Sequence, residues 1–410
     1  VRPSAHRLFK PGRFNPLAIA AGLALGPAVA LGLARFAYSL LLPGMRSDLH
    51  WSFTQAGTMN TANAIGYLIG ALAAGPLIVW RGSRRPYLLA FAVTAMVLLA
   101  SASTGNFAAL LALRLGAGAS GAVVFIAGAG LVARLVTDLS PGRSAAMLGT
   151  YFAGAGLGIV VSAVIVPPVA GLGDGGSWRW GWLALGVIGC AAFGFAAAAA
   201  ERAPVPAVAP ERGLLAWPVG RLAPTLVAYV FFGAGYIAYV TFIVAFLETA
   251  GESAGAVSAF WAILGTSSVV AAFLWGPLLG RLQGGRGPAA VLTVVTVGAL
   301  LPLAAPGPFG FFASAVVFGG AFLSVPTAII NLARRSLTPT QIRPAIAVLT
   351  VAFSTGQSLG PVLAGALSDG PAGIRAGLDL SVVLLVAATL TALGQRATPA
   401  RPGRAGHPLR

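Results

Sequence analysis

Of 410 residues, 57% are hydrophobic and only 9% are charged, with a mean hydropathy of +0.88. A soluble domain carries about 25% charged residues, so a water-soluble globular fold is excluded and a chain made for lipid is expected. The net charge of +17 suggests nucleic acid only if it gathers on one face; it is instead spread over alternate loops, which excludes that partner.

The tail 1–16 carries Arg2, Arg7, Lys10 and Arg13. Twelve apolar stretches then follow, at 17–42, 55–79, 87–104, 107–134, 144–168, 178–200, 223–247, 254–280, 288–306, 308–333, 345–368 and 378–396. Each is long enough for a helix to cross a hydrocarbon core of about 30 Å. Such a run predicts an all-α polytopic membrane protein, since lipid leaves a spanning backbone only helices or closed barrels. The first stretch is too long for the apolar core of a signal peptide.

Loops rich in arginine alternate with loops that hold only Arg46, Arg179 and Arg375. The basic set includes Arg81, Arg84 and Arg85, then Arg134 and Arg143, Arg281 and Arg286, and Arg334 and Arg335. Positive charge favours the cytoplasmic side, which predicts that both termini and the central connection are cytoplasmic. That connection, 201–222, contains Pro204, Pro206, Pro210 and Pro218 and reads as a linker between six-span halves, 17–200 and 223–396, followed by the tail 397–410.

An internal repeat supports the division. Gly75-Pro76-Leu77 recurs as Gly276-Pro277-Leu278 at an offset of 201, and Gly32, Ala37 and Tyr38 recur as Gly233, Ala238 and Tyr239. Gly154, Leu157 and Gly158 return as Gly356, Leu359 and Gly360, offset by 202. Parallel repeats about an axis normal to the membrane are one transporter design, with the solute held between them near the midplane.

The turn Gly75-Pro76-Leu77-Ile78-Val79-Trp80-Arg81-Gly82-Ser83-Arg84-Arg85 resembles the signature of the major facilitator superfamily, with Val79 at the usual acidic position. Arg114-Leu115-Gly116-Ala117-Gly118 is similar to its span 4 arginine motif, and the run 149–158 to its glycine-rich antiporter motif. Leu33–Tyr38, Leu42–Met45, Asn60–Asn63, Gly66–Leu68, Gly235–Ile237, Thr241-Phe242 and Gly356–Pro361 resemble the bacterial YbfB/YjiJ branch. The resemblance implies a twelve-helix carrier of the bacterial inner membrane that works by alternating access, with spans 1 and 4 lining a central cavity. It implies no substrate. Gly75, Gly82, Arg84, Arg85, Gly154, Gly158, Gly276, Gly356, Gly360 and Pro361 become candidates for gating or conformational change.

Charge within a bilayer is expensive and marks function, and only Arg35 and Arg114 lie well inside a span. Two guanidinium groups suit a carboxylate or phosphate, because arginine offers a bidentate planar fork. Two alternatives stay open: Arg114 holding span 4 against span 1, and Arg35 paired with Glu248 or Asp48. Tyr38, Asn63, Tyr67, Tyr151, Tyr236, Tyr239 and Gln357 complete the candidate substrate site, whereas spans 3, 6, 9 and 12 are nearly featureless and expected to face lipid.

No Asp or Glu lies deep in a span, and His6, His50 and His407 lie outside the spans. Glu248 is therefore the candidate for proton coupling, with the substrate's own carboxyl as the other route. Pro27, Pro302, Pro326 and Pro361 are candidate kinks. Cys190 stands alone and reads as packing. No metal or cofactor is expected, the chain is expected to be monomeric, and neither a cluster of His, Cys, Asp or Glu for catalysis nor a phosphate-binding loop points to an enzyme or an ATP motor. A sensor lacks an output domain here. The reading is a secondary carrier for a small organic anion; the alternative is multidrug-type efflux of neutral or amphiphilic compounds.

Overall fold

A backbone in lipid has no water to bond, so each span satisfies its N–H and C=O groups internally as helix. The computed structural model describes residues 15–137, 139–170, 176–204 and 219–397. The expected tails, most of the linker, and Asp138, Asp174, Glu211, His6 and His407 lie outside them. Twelve spans run Pro16–Asp48, Phe53–Arg81, Arg84–Ala102, Phe107–Leu135, Gly142–Val169, Trp178–Arg202, Val219–Thr249, Ala254–Arg281, Arg286–Ala304, Pro308–Ser336, Thr340–Ser368 and Ile374–Leu393. Spans 1 and 7 start at the end of the bundle called here the terminal face. The opposite end is the distal face.

Local signals set the helix ends. Span 2 opens with a capping box in which Ser52 Oγ accepts from the Gln55 N–H and Gln55 Oε1 accepts from the Ser52 N–H. Asn106 and Ser253 cap spans 4 and 8 one way only, their side-chain oxygens accepting from the Ala109 and Ala256 N–H groups. Gly82, at φ 72°, closes span 2 in a conformation that favours glycine.

Several boundaries differ from expectation. Span 1 runs on through Pro43 to Asp48, so Arg35 sits nearer the middle of its helix than a count from Leu42 implies. Spans 2 and 8 continue slightly past their expected ends, to Arg81 and Arg281, with Gly75 and Gly276 inside them. Nothing lies within 4 Å of a side chain built at either glycine. Their repeat is one of sequence, without a packing role. Span 12 ends at Leu393 instead of 396.

The glycines of spans 5 and 11 behave differently. A Cβ on Gly154 or Gly158 would strike the carbonyl of Ala24 or Ala28 in span 1, and one on Gly356 or Gly360 would strike that of Val230 or Ala234 in span 7. The repeated small-xxx-small pattern thus brings two backbones together in each copy, as van der Waals packing in lipid requires. Contacts between the first and last six spans run through span 2 on span 11, span 5 on span 8, and the distal part of span 1 on span 7. Spans 3, 6, 9 and 12 show Leu89, Val93, Phe195, Val297, Leu300, Val383 and Leu390 outward, but spans 2, 5, 8 and 11 show Leu72, Val164, Leu274 and Leu359 outward as well, so exposed apolar surface does not single out the four expected to face lipid.

Prolines mark irregular points. Pro27 precedes a π-helical stretch, Ala28–Phe36, in span 1. Span 10 is α-helical at Pro308–Gly319, tightens to 3-10 geometry at Phe322–Ser324, and resumes with Val325 and Pro326. The Pro361 carbonyl instead receives the close approach of Gly57.

Gly158→Val is expected to destabilise the detergent-purified protein by about 1–3 kcal/mol through overpacking, whereas Gly75→Ala leaves it unchanged or slightly firmer. Thermal unfolding of the two variants beside the parent checks the contrast; equal losses would remove the special status of the span 1–5 contact.

Candidate functional site

Span 1 changes its winding where it meets the other helices. Over Ala28–Phe36 the backbone takes π geometry, and the Ala37 N–H reaches back to the Gly32 carbonyl at 2.9 Å. The α-helix resumes at Tyr38. Such π segments occur often at functional sites because they redirect side chains and carbonyls.

Arg114 fills the space beside this irregularity. Its Nη1 donates to the Ala34 carbonyl and its Nη2 to Asn60 Oδ1 at 2.8 Å. Asn60 Nδ2 in turn donates to Thr241 Oγ1 at 2.7 Å, which joins span 2 to span 7. Asn63 Nδ2 donates to the Arg114 carbonyl at 3.1 Å. The Tyr38 ring lies 4.7 Å from the Arg114 guanidinium carbon, and its hydroxyl donates to the Ala56 carbonyl at 2.8 Å. Trp182 closes the other side at 5.7 Å. Tyr38, Asn63 and Arg114 are therefore held in a network that ties spans 1, 2, 4 and 7, of the kind expected for packing.

Arg35 is bound differently. Its Nη2 donates to Gln357 Oε1 in span 11, and Gln357 Nε2 donates to the Tyr236 hydroxyl at 2.8 Å. The Tyr67 ring stands 5.3 Å from its guanidinium carbon and the Phe36 ring 6.0 Å away. Its Nε has no partner, and only 4% of the residue is exposed. Arg114 Nε, Asn63 Oδ1 and Ser354 Oγ are also buried without partners.

Among the described residues no carboxylate bonds either arginine. The expected pairings fail for simple reasons. Asp48 accepts instead from Trp178 Nε1 at 2.8 Å. Glu248 is exposed at the distal end of span 7, about 18 Å along the helix from Tyr236 at 1.5 Å per residue.

Aromatic rings extend the site toward the terminal face. Tyr229, Phe232 and Tyr236 share one face of span 7, and the Phe353 ring lies 4.6, 5.8 and 5.7 Å from them with planes within 17°. Two expected tyrosines fall elsewhere. Tyr151 donates to the Phe125 carbonyl at 2.7 Å between spans 5 and 4. Tyr239 bonds Ser314 and stacks on Phe318 at 4.2 Å, between spans 7 and 10. Both are fully buried packing groups, outside the arginine cluster. Asn60, Thr241 and Phe353 belong to the network although they were absent from the expected set. Asn60 and Thr241 both lie in stretches that carry the family resemblance, Asn60–Asn63 and Thr241-Phe242, but that resemblance assigns them no role.

The distal face is fastened by Asp369. Its carboxylate accepts from the Phe53 N–H at 2.7 Å, the Thr54 N–H at 2.9 Å and Thr54 Oγ1 at 2.6 Å. These N–H groups are first-turn donors of span 2 without partners in the helix, where the dipole favours an anion. Burial raises the Asp369 pKa, but the Thr54 hydroxyl and the Thr54 and Phe53 N–H groups outweigh it and hold the carboxyl below its ordinary value. Beside it Gly365 packs on the Phe53 carbonyl and Gly57 on that of Pro361. At the terminal face Arg84 Nη2 donates to the Ala203 carbonyl at 2.8 Å and Arg335 to the carbonyls of Gly280 and Leu282. Arg85 and Val79 are exposed.

The sequence of residues 27–393 matches the family model described as Uncharacterised MFS-type transporter YbfB. The chain is 26% identical over 376 residues to the inner membrane transport protein YdhP of Escherichia coli K12, covering 90% of this chain and 92% of that one. It is 30% identical over 403 residues to the chloramphenicol resistance protein of Streptomyces lividans, covering 90% and 96%. Its fold is similar to that of a bacterial homologue of the lysosomal transporter Spinster, inward-facing and unoccupied, with TM-score 0.65 at 16% identity over 93% and 96% of the two chains. The nucleoside transporter NupG gives 0.65 at 16% identity over 91% and 98%. The chain belongs to the YbfB-type transporters of the major facilitator superfamily, membrane proteins of twelve helices.

Arg114→Gln is expected to lower thermal stability by at least about 1.5–3 kcal/mol, the scale of one hydrogen bond to a charged group, and to do so more than Arg35→Gln. Comparing the unfolding midpoints of both variants in detergent checks the ordering. The Asp369 clamp is expected to persist from about pH 5 to 8 and to weaken as pH falls through the lowered pKa, because its stabilisation requires the ionised form. Asp369→Asn releases it at neutral pH. Maleimide labelling of Thr61→Cys in a Cys190→Ala background reads the opening; identical labelling with Asp or Asn at 369 would exclude the clamp.

Proposed function

We propose that this transporter is a secondary carrier for a small organic anion, moved by alternating access between its first and last six spans. The observation that carries the reading is charge balance at Arg35. Its guanidinium is buried with one neutral amide oxygen as hydrogen-bond partner and an unpartnered Nε. An uncompensated ion in a low-dielectric interior is costly, and a carboxylate reaching both Nη2 and Nε supplies the missing charge in bidentate form.

The rest follows from geometry. Arg35 in span 1 and Gln357 and Tyr236 in spans 11 and 7 meet across the boundary between the two sets of helices. A substrate that replaces Gln357 on Arg35 thereby alters the coupling between the halves. Asp369 and its glycine contacts close the distal side, and solute enters from the terminal face, the cytoplasmic one by the positive-inside rule. Arg114, Asn60, Asn63 and Tyr38 hold the irregular turn of span 1 in place. Glu248 stands about 18 Å along span 7 from Tyr236, and the solute crosses with its carboxyl ionised on Arg35.

A second reading is efflux of neutral or amphiphilic compounds. It is favoured by the ring-lined wall of Tyr229, Phe232, Tyr236 and Phe353 and by similarity to a protein named for chloramphenicol resistance. Under it Arg35 only joins the halves.

A thermal-shift screen of purified protein separates the two. A ligand at 100 times its dissociation constant adds about 2.7 kcal/mol to the native state. Carboxylates are expected to stabilise the parent and to lose about 10- to 100-fold in affinity in Arg35→Gln, on the scale of hydrogen bonds to a charge. Stabilisation by neutral compounds alone, unaffected by that variant, would decide for efflux.

A further inference from the structure

We infer that the carried anion is a planar aromatic carboxylate, its carboxylate on Arg35 and its ring against Phe353 and Tyr67. The inference rests on the anion reading above and narrows it to a substrate class.

Phe353 and Gln357 lie one helical turn apart in span 11, about 6 Å along the axis, and share a face. Gln357 holds Arg35, and Phe353 lies on the terminal side of it. Tyr236 ties the two positions together, since its hydroxyl accepts from Gln357 and its ring stacks with Phe353 at 5.7 Å and 9°. From span 2 the Tyr67 ring approaches the Arg35 guanidinium carbon to 5.3 Å. A molecule entering from the terminal face toward the arginine thus passes rings on spans 2, 7 and 11.

These rings differ in accessibility. Phe232 and Phe322 are each 1% exposed and Phe318 is fully buried, so they form the backing. Tyr67 and Phe353 are half-buried and keep surface free for a ligand. The backing is ordered: Phe353, Tyr229, Phe232 and Tyr236 are nearly parallel, and the stack continues from Tyr236 to Phe322 at 6.1 Å and from Phe322 to Phe318 at 5.1 Å. Close packing alone does not call for it. Spans 1 and 5 meet through glycine and alanine. A flat polarisable wall beside a guanidinium instead suits a ligand with a planar ring at one end and a charge at the other, because aromatic pairs favour offset-stacked or edge contacts.

Two polar features fix the charged end. The Nη2–Nε edge of Arg35 offers two donors, one held by a neutral amide oxygen and one unpartnered. A carboxylate occupies both and frees Gln357, whose amide stays bonded to Tyr236 beside the ring.

Binding of benzoate, cyclohexanecarboxylate and benzamide to the detergent-purified full chain, measured by calorimetry, tests this. Benzoate is expected to bind about three- to tenfold more tightly than cyclohexanecarboxylate, the worth of an aromatic pair. Phe353→Leu should bring benzoate down to the level of cyclohexanecarboxylate and leave the latter unchanged, and Arg35→Gln should weaken both. Tyr67→Leu provides the same reading should the Phe353 variant fail to fold. Equal affinity for the two acids, indifferent to Phe353 and dependent on Arg35, overturns the aromatic inference and leaves the anion reading standing. Benzamide binding as well as benzoate, independent of Arg35, overturns both. Failure of either acid to bind, while an aliphatic dicarboxylate binds, also overturns it.

Discussion

Two guanidinium groups sit within the bundle with no carboxylate among the described residues to neutralise them, and the central architecture is arranged to tolerate that. A bare charge in such surroundings is costly. The protein meets the cost in two ways. Arg114 is surrounded by a backbone carbonyl, an asparagine oxygen and two aromatic faces. Arg35 is left with a single glutamine oxygen and an idle Nε. The same side-chain type thus bonds two oxygens in one helix and a single one in the other, with Nε unpartnered in both.

The Arg114 contacts depend on an irregular helix. By winding Ala28–Phe36 in π geometry, span 1 presents the Ala34 carbonyl to Arg114 while turning Arg35, the next residue, toward span 11. A regular α-helix places consecutive side chains about 100° apart, with all interior carbonyls engaged. The widened turn is what allows a carbonyl and its neighbouring side chain to face different partners. Gly158 and Gly32 pack back to back behind this stretch, which keeps span 5 close enough to support it.

The two ends of the molecule are held by different physics. At the distal face an anion caps the open turn of a helix from the opposite set of spans, an exposed contact that water can replace. At the terminal face Arg84 and Arg335 each cap carbonyls within their own set of spans. A contact between the sets, exposed and charge-assisted, is suited to breaking and reforming; contacts within a set are suited to keeping each set rigid.

Twelve spans and their order were legible in composition and hydropathy, because lipid requires long apolar helices regardless of their partners. That Arg35 and Arg114 lie buried inside the bundle was legible too, because charge in such a segment is rare. The repeat was also visible, but its meaning was not. Gly154, Gly158, Gly356 and Gly360 touch backbone, while Gly75 and Gly276 stand in open space, and a sequence match weighs them alike. Tyr151 and Tyr239 illustrate the same limit, since a tyrosine in a span bonds whichever carbonyl or hydroxyl its face meets. Sequence alone determined that this chain is a helical membrane protein with two internal arginines. Only tertiary structure decided which oxygens each arginine meets, which rings stand beside it, and that Asp369 reaches a helix end more than 300 residues away in the chain, because those facts depend on how helix faces rotate and slide against each other.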